Sequence, residues 1–257
     1  MISATRSLRT KAIHAMVGLL FFADRLLERQ PFGTIIGCTT KESLVALTFD
    51  DGPHAEYTPR LLDILARHGI HATFFVIGEQ GRKHPEILRR MIAEGHTIAN
   101  HTWDHPRMPG LSASEQKRQI RACAAEIKQY GGPLIFRPPW GAQNPALITR
   151  VHLMGYLNVT WSMDADDWAD HDSAWFAETI QHDVRPGTII LLHDRLTPPA
   201  EPAAFDRTNL LNGLDIALEQ MTKRYHFVTV PQLLTLGKPI TRRLTSNRLN
   251  RLYESTG

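Results

Sequence analysis

His101 and His105 stand four residues apart, and no other pair among the chain's 13 histidines has that spacing. On a helical turn an i,i+4 pair presents both rings on one side, and zinc-binding helices use the same spacing. A second pair of interest is acidic: Asp50 and Asp51, in the string Thr48-Phe49-Asp50-Asp51-Gly52-Pro53. In a regular strand neighbouring side chains point to opposite faces. At a strand end followed by Gly52-Pro53 the chain can turn and aim both carboxylates at one place. Two such carboxylates repel unless a cation neutralises one of them. A metal held by Asp51, His101 and His105 would do this and leave room for water and a substrate oxygen. Taken alone, Asp-Gly-Pro is ordinary turn chemistry, and a lone histidine pair is more often structural; the two together shift the balance toward a cation.

Three further strings complete the inventory. Arg137 opens Arg137-Pro138-Pro139-Trp140-Gly141. The prolines stiffen that loop and remove two backbone donors. A rigid loop suits a site that holds Arg137 in place and turns the Trp140 amide toward an oxyanion. Asp167 and Trp168 end Asp164-Ala165-Asp166-Asp167-Trp168, and His193 lies in Leu191-Leu192-His193-Asp194. A carboxylate beside a histidine raises its pKa and orients its ring, so Asp167 would make His193 a general acid near neutral pH. Trp168 and Leu191 would wall a small apolar pocket. The set amounts to metal-assisted hydrolysis with a base and an acid kept apart.

Each string closes an apolar run that reads as a strand. Seven such runs are visible: Val45–Asp51, Ala72–Gly78, Thr97–His101, Ile135–Gly141, Asn158–Asp164, Thr188–Asp194 and Phe227–Val230. They are β-branched or aromatic and bounded by turn residues. Stretches of helical spacing separate them, one capped by Ser112 or Ser114 and one opened by Pro145. Strands alternating with helices predict a parallel sheet. Polar residues gathered from several strand ends are the signature of a barrel, here a distorted (β/α) barrel of about seven parallel strands. An open doubly wound sheet would gather its ligands at one crevice instead. The Pro-rich loop from Thr197 to Ala204 is a candidate lid or substrate wall, with an inert surface loop as the alternative.

The chain's 257 residues carry a net charge of +3, unevenly distributed. Residues 1–41 carry +4, residues 237–257 carry +4, and the body between them −5. No basic stripe interleaved with aromatics is present, which argues against nucleic acid. Cys38 and Cys123 form neither a zinc pattern nor a disulfide framework. Arg6, Arg9 and Lys11 precede an apolar stretch from Ala12 to Ala23. It resembles the start of a signal peptide but lacks a small-residue cleavage site, and it is shorter than the ~20 residues of a membrane span. Residues 8–28 therefore read as an uncleaved helix that packs on the barrel or makes peripheral membrane contact. The expected organisation is a basic helical segment at 1–41, a barrel at 42–236 and a basic tail at 237–257. A cytoplasmic or membrane-peripheral location is expected ahead of secretion.

In this order the five strings resemble the motifs of the polysaccharide deacetylase family (carbohydrate esterase family 4, the NodB homology domain), over about residues 43–235. The resemblance implies hydrolysis of an N-acetyl group, sometimes O-acetyl, on a sugar polymer or oligomer of chitin or peptidoglycan type. It implies Asp50 as catalytic base, Asp51, His101 and His105 as metal ligands, and Arg137 as the residue that holds the base. The Trp140 backbone would take the oxyanion, although many relatives have Tyr there. Asp167 would tune His193, the general acid, and Trp168 with Leu191 would enclose the acetyl methyl. The metal implied is one divalent ion, zinc first, with cobalt, manganese or nickel as substitutes. Alternatives are a deformylase or deacetylase of a lipid-linked amino sugar, a hydrolase of a small cyclic amide, or a sugar-binding module without catalysis.

Overall fold

A computed structural model describes residues 33–242. The helix expected over residues 8–28 and the tail beyond 242 lie outside the described residues. In chain order the elements are β1 (Thr34–Thr39), β2 (Leu44–Asp50), α1 (Tyr57–Arg67), β3 (Thr73–Val76), α2 (Gly78–Lys83), α3 (Pro85–Ala93), β4 (Thr97–Asn100), α4 (Ala113–Ile127), β5 (Ile135–Phe136), α5 (Pro145–Leu153), β6 (Leu157–Val159), β7 (Met163–Asp164), α6 (Ser173–His182), β8 (Ile189–His193), α7 (Thr208–Met221), β9 (His226–Phe227), α8 (Val230–Leu236) and β10 (Lys238–Arg242). The strands form one sheet in the order β10-β1-β6-β5-β4-β3-β2-β8-β7, with β9 added beside β2. Neighbours run parallel except β1 with β10.

The expected α/β barrel with parallel strands is present, with differences in detail. The run Asn158–Asp164 is two strands on different parts of the sheet: β6 pairs with β1 and β5, and β7 pairs with β8. The run Phe227–Val230 is cut short, because Pro231 and a Thr229–Gln232 cap start α8 there; Thr229 N–H donates to Gln232 Oε1 at 2.9 Å. The sheet also reaches past the expected barrel limits of 42–236, since β1 and β10 pair outside them. β10 was hidden by its composition. Lys238-Pro239-Ile240-Thr241-Arg242 is an exposed edge strand, and Pro and charge are what blunt such an edge.

The two faces of the curled sheet follow the period of two. Val45, Leu47 and Phe49 of β2 pack outward into the layer of helices, with Leu61, Leu65, Leu214 and Leu218. Leu44 and Ala46 point inward, where they meet Ile35, Phe75, Ala99 and Val159. Val230 and Leu233 of α8 join this inner cluster, so α8 plugs one end of the barrel. Full burial of each large apolar side chain contributes about 1.5–3 kcal/mol. The same inward alternation brings Thr48 and Asp50 to the other end of the interior.

The sheet meets itself where β1 passes the chain leading into β8. Cys38 N–H donates to Gly187 O at 2.9 Å, and Gly187 N–H donates to Leu44 O at 2.6 Å. Gly187 has φ +89, and a Cβ there would lie 1.7 Å from Cys38 O. Gly187→Ala is therefore expected to cost roughly 3 kcal/mol or more, because strand and turn must separate. Gly69→Ala, at φ +63 with nothing within 4 Å, should cost only the left-handed backbone penalty of roughly 1–2 kcal/mol. Urea unfolding of both variants checks this; equal midpoints would refute the closure.

Candidate active site

Asp50 ends β2 and lies in register with His193 at the end of β8. Asp51 follows with φ 71, and this left-handed step keeps its carboxylate from turning to the outer face. His101 follows β4 directly. The His101–His105 segment is not the helical turn that its spacing predicted; it is an irregular loop with positive φ at Thr102 (69) and His105 (62). Side chains replace the missing helical hydrogen bonds. Thr102 N–H donates to Asn100 Oδ1 at 3.0 Å, His105 N–H donates to Thr102 Oγ1 at 3.1 Å, and Trp103 N–H donates to Gln119 Oε1 of α4 at 3.0 Å. The non-glycine residues with positive φ among the described residues are Asp51, Thr102, His105, Trp140 and Asp166. All lie in loops that follow strand ends, each at a cost of order 1–3 kcal/mol.

The three expected ligands converge. His105 Nε2 is 3.0 Å from Asp51 Oδ1 and His101 Nε2 is 3.3 Å from it. Their ligand atoms form the one His/Cys/Asp/Glu cluster among the described residues able to hold a metal ion. His101 Nδ1 faces Arg137 O at 2.8 Å. A carbonyl only accepts, so Nδ1 carries the proton and Nε2 presents a lone pair, as a metal-ligating histidine must. Thr197 N–H donates to Asp51 Oδ2 at 2.8 Å, while Oδ1 is buried without a hydrogen-bond partner. An orphaned carboxylate oxygen facing two imidazole nitrogens fits a divalent cation with mixed N and O ligands. Burial would push the Asp51 carboxyl up, but the two imidazoles hold it well below the usual carboxylate range. Burial pushes His105 down, against the pull of Asp51. An ionised carboxylate and a neutral imidazole are the forms that bind metal.

Asp50 is held separately. Arg137 Nη1 donates to Asp50 Oδ1 at 2.6 Å and to Thr48 Oγ1 at 2.9 Å, and Nη2 donates to Thr160 O at 2.9 Å. The guanidinium is wholly buried and sits 3.9 Å from the centre of the Phe75 ring. One strand over, His193 Nδ1 faces Asp167 Oδ1 at 2.7 Å. Burial alone would lower the His193 pKa, but the Asp167 carboxylate overrides it and lifts the imidazole to about 9. For Asp167, burial pushes up while the charges of His193 and Arg207 hold the carboxyl below its usual value.

Trp140 and Trp168 are exposed by 41% and 45%, large for their size, whereas Leu191 is buried at 3%. The Trp140 ring lies 4.3 Å from that of His105, edge to face. Leu191 sits inside β8, level with Thr48 and Asp164. The structure thus joins the ligand triad, the Asp50–Arg137 pair and the Asp167–His193 pair, and puts the two tryptophans at the rim.

Residues beyond the motifs also shape the site. The Pro-rich loop is anchored to it, through Thr197 on Asp51 and through Glu201 N–H, which donates to Trp168 O at 3.1 Å. Asp194 is buried and accepts from Thr58 Oγ1; burial and the nearby Asp51 raise it to about 7. A Cβ on Gly52 would lie 2.1 Å from Asp194 Oδ2, which explains why the residue after the acidic pair has no side chain. Arg207 carries no motif signal beyond its place before a helix.

An imidazole–carboxylate triad at the strand ends of an α/β barrel, flanked by two separately tethered ionisable groups, defines a hydrolase of the metal-assisted kind. The chain belongs to the polysaccharide deacetylase family. The family model matches residues 37–159. A chitooligosaccharide deacetylase of Azorhizobium caulinodans is 39% identical over 171 residues, covering 65% of this chain and 81% of that one. The crystal structure of a peptidoglycan N-acetylglucosamine deacetylase in complex with 4-naphthalen-1-yl-N-oxidanyl-benzamide superposes with a TM-score of 0.72 at 31% identity, covering 82% of this chain and 96% of that one. A family 4 acetyl xylan esterase from Clostridium thermocellum, solved with a cobalt ion, gives a TM-score of 0.66 at 37% identity, covering 75% and 91%.

Replacing a ligand should uncouple binding from folding. Asp51→Asn and His101→Ala are expected to lower divalent-metal affinity by more than the roughly 10–100-fold typical of outer-shell changes, with the fold retained. Metal analysis after dialysis against buffered zinc, with circular dichroism on the same samples, reads this. Full metal occupancy in both variants would contradict it.

Proposed function

We propose that the protein is a metal-dependent deacetylase that removes N-acetyl groups from an amino-sugar polymer or oligomer of chitin or peptidoglycan type. The observation that carries this reading is the convergence of Asp51, His101 and His105 beside Asp50, tied to Arg137, with His193, tied to Asp167, level with Asp50 on the next strand. The relatives' activities on chitooligosaccharide and on peptidoglycan N-acetylglucosamine support the substrate class. The lipid-linked amino-sugar and cyclic-amide alternatives are not favoured by these relatives.

Two imidazoles and one carboxylate are a ligand set that zinc takes in hydrolytic sites, and zinc is the metal favoured here, with cobalt, manganese or nickel as substitutes. A divalent ion held there supplies Lewis acidity, polarising the amide carbonyl and lowering the pKa of water toward about 7. The chain's own groups do the rest. Asp50, its Oδ1 bound by Arg137, takes the proton from the attacking water through Oδ2. The Trp140 backbone N–H donates to the oxyanion. His193 uses Nδ1 on Asp167, which leaves Nε2 to protonate the departing nitrogen. Trp140 and Trp168 offer exposed ring faces to the sugar.

Acetate release from a chitin oligomer and from a peptidoglycan fragment tests the activity, with metal content measured on the same sample. Asp50→Asn should reduce turnover by about 10²–10⁴-fold while metal stays bound, because Asp50 is held by Arg137 and the ligand role belongs to Asp51. Unchanged turnover in that variant would remove the base. The Asp167 carboxylate stabilises the His193 cation, so its loss lowers the pKa of the acid. In Asp167→Asn the alkaline fall of kcat/KM should therefore move to lower pH. An unmoved limb would separate His193 from proton delivery.

A further inference from the structure

The Asp167 carboxylate is enclosed, and both of its oxygens are committed. Oδ1 faces His193 Nδ1 at 2.7 Å, and Oδ2 accepts from His193 N–H at 2.7 Å and from Arg207 Nη2. Arg207 precedes α7 and is itself buried at 1%. Its other donors reach main chain on both sides of the pair. Nη1 donates to Asp167 O at 2.7 Å and to Ala204 O at 2.6 Å, and Nε donates to His193 O at 3.3 Å. One guanidinium therefore ties the segment after β7 to the end of β8, the two stretches that carry the carboxylate and the imidazole. A planar five-donor fork can do this; a lysine brings the charge without the fork.

We propose that Arg207 is a positioning residue for proton delivery, holding the Asp167–His193 pair in the orientation from which His193 Nε2 reaches the leaving nitrogen. This rests on the deacetylase reading above. In the step concerned the C–N bond breaks with its electron pair passing to nitrogen, which takes the proton from His193 Nε2, while water has supplied the hydroxyl now on the acyl carbon. An amine leaves poorly without that proton. An aryl acetate expels a stable phenolate and needs no acid, so the two leaving groups separate proton delivery from everything else the site does.

The test compares wild type, Arg207→Met and Arg207→Lys on an N-acetylated chitin oligomer and on an aryl acetate, with metal content and melting temperature measured on each protein. Arg207→Met is expected to lose roughly 10–100-fold in kcat on the oligomer, with KM and metal content held, and less than about threefold on the aryl ester. Arg207→Lys should show the same asymmetry to a smaller degree, and it carries the comparison if Arg207→Met does not fold. Equal losses on both substrates would overturn the proposal and leave Arg207 a purely structural residue. A wild-type protein that cleaves the aryl ester but releases no acetate from the oligomer or from peptidoglycan would instead overturn the deacetylase reading, and this inference with it.

Discussion

Two adjacent carboxylates cannot both be buried and charged without separate partners. Asp50 and Asp51 are each only 3% exposed, and a buried ionised carboxylate is tolerated only when paired. Asp50 is neutralised by Arg137, whose guanidinium is enclosed by the barrel and directed by Thr48 and Thr160 O. Asp51 is left with two imidazoles and an orphaned oxygen. Arg137 is thus the cation beside Asp50, while the nearest charge-bearing groups to Asp51 are the imidazoles, with His101 Nε2 3.3 Å from Asp51 and 3.7 Å from Asp50. Its carbonyl also accepts from His101 Nδ1, so one residue holds the Asp50 carboxylate and sets the tautomer of His101.

The fold meets this constraint through strand register and a few strained backbone positions. Inward alternation along β2 places Thr48 and Asp50 on the wall that Arg137 reaches. Parallel pairing of β2 with β8 sets His193 level with Asp50, so the two side chains proposed to move protons start from neighbouring strand ends. Left-handed residues at Asp51, Thr102, His105 and Trp140 then turn the chain over the strand ends. Strain of this kind persists where surrounding hydrogen bonds over-determine it, and here Asn100, Thr102 and Gln119 supply them.

Much of this was legible in the sequence because the chemistry sits in contiguous strings at strand ends. Asp50-Asp51, His101-x-x-x-His105, Arg137, Asp167 and His193 were all identifiable by type and spacing, and the parallel sheet followed from alternating strands and helices. The failures have physical causes. The i,i+4 spacing of the histidines predicts a helical turn, yet a loop bent by two left-handed residues brings the ring centroids to 5.0 Å from each other. β10 is too charged and too exposed to read as a strand, and β1 is cut by Gly37-Cys38. Arg207 acts on Asp167 across 40 residues of chain, and Gln119 acts on the histidine loop from a separate helix. Neither has a local pattern, since its role arises only when the elements pack.

Anomalous diffraction at the zinc edge, from crystals grown with that metal, tests most directly whether Asp51, His101 and His105 share one cation. A single peak about 2.0–2.2 Å from one oxygen of Asp51 and one nitrogen of each histidine is the predicted result. An active, metal-loaded protein whose peak lies away from these three residues would contradict the account.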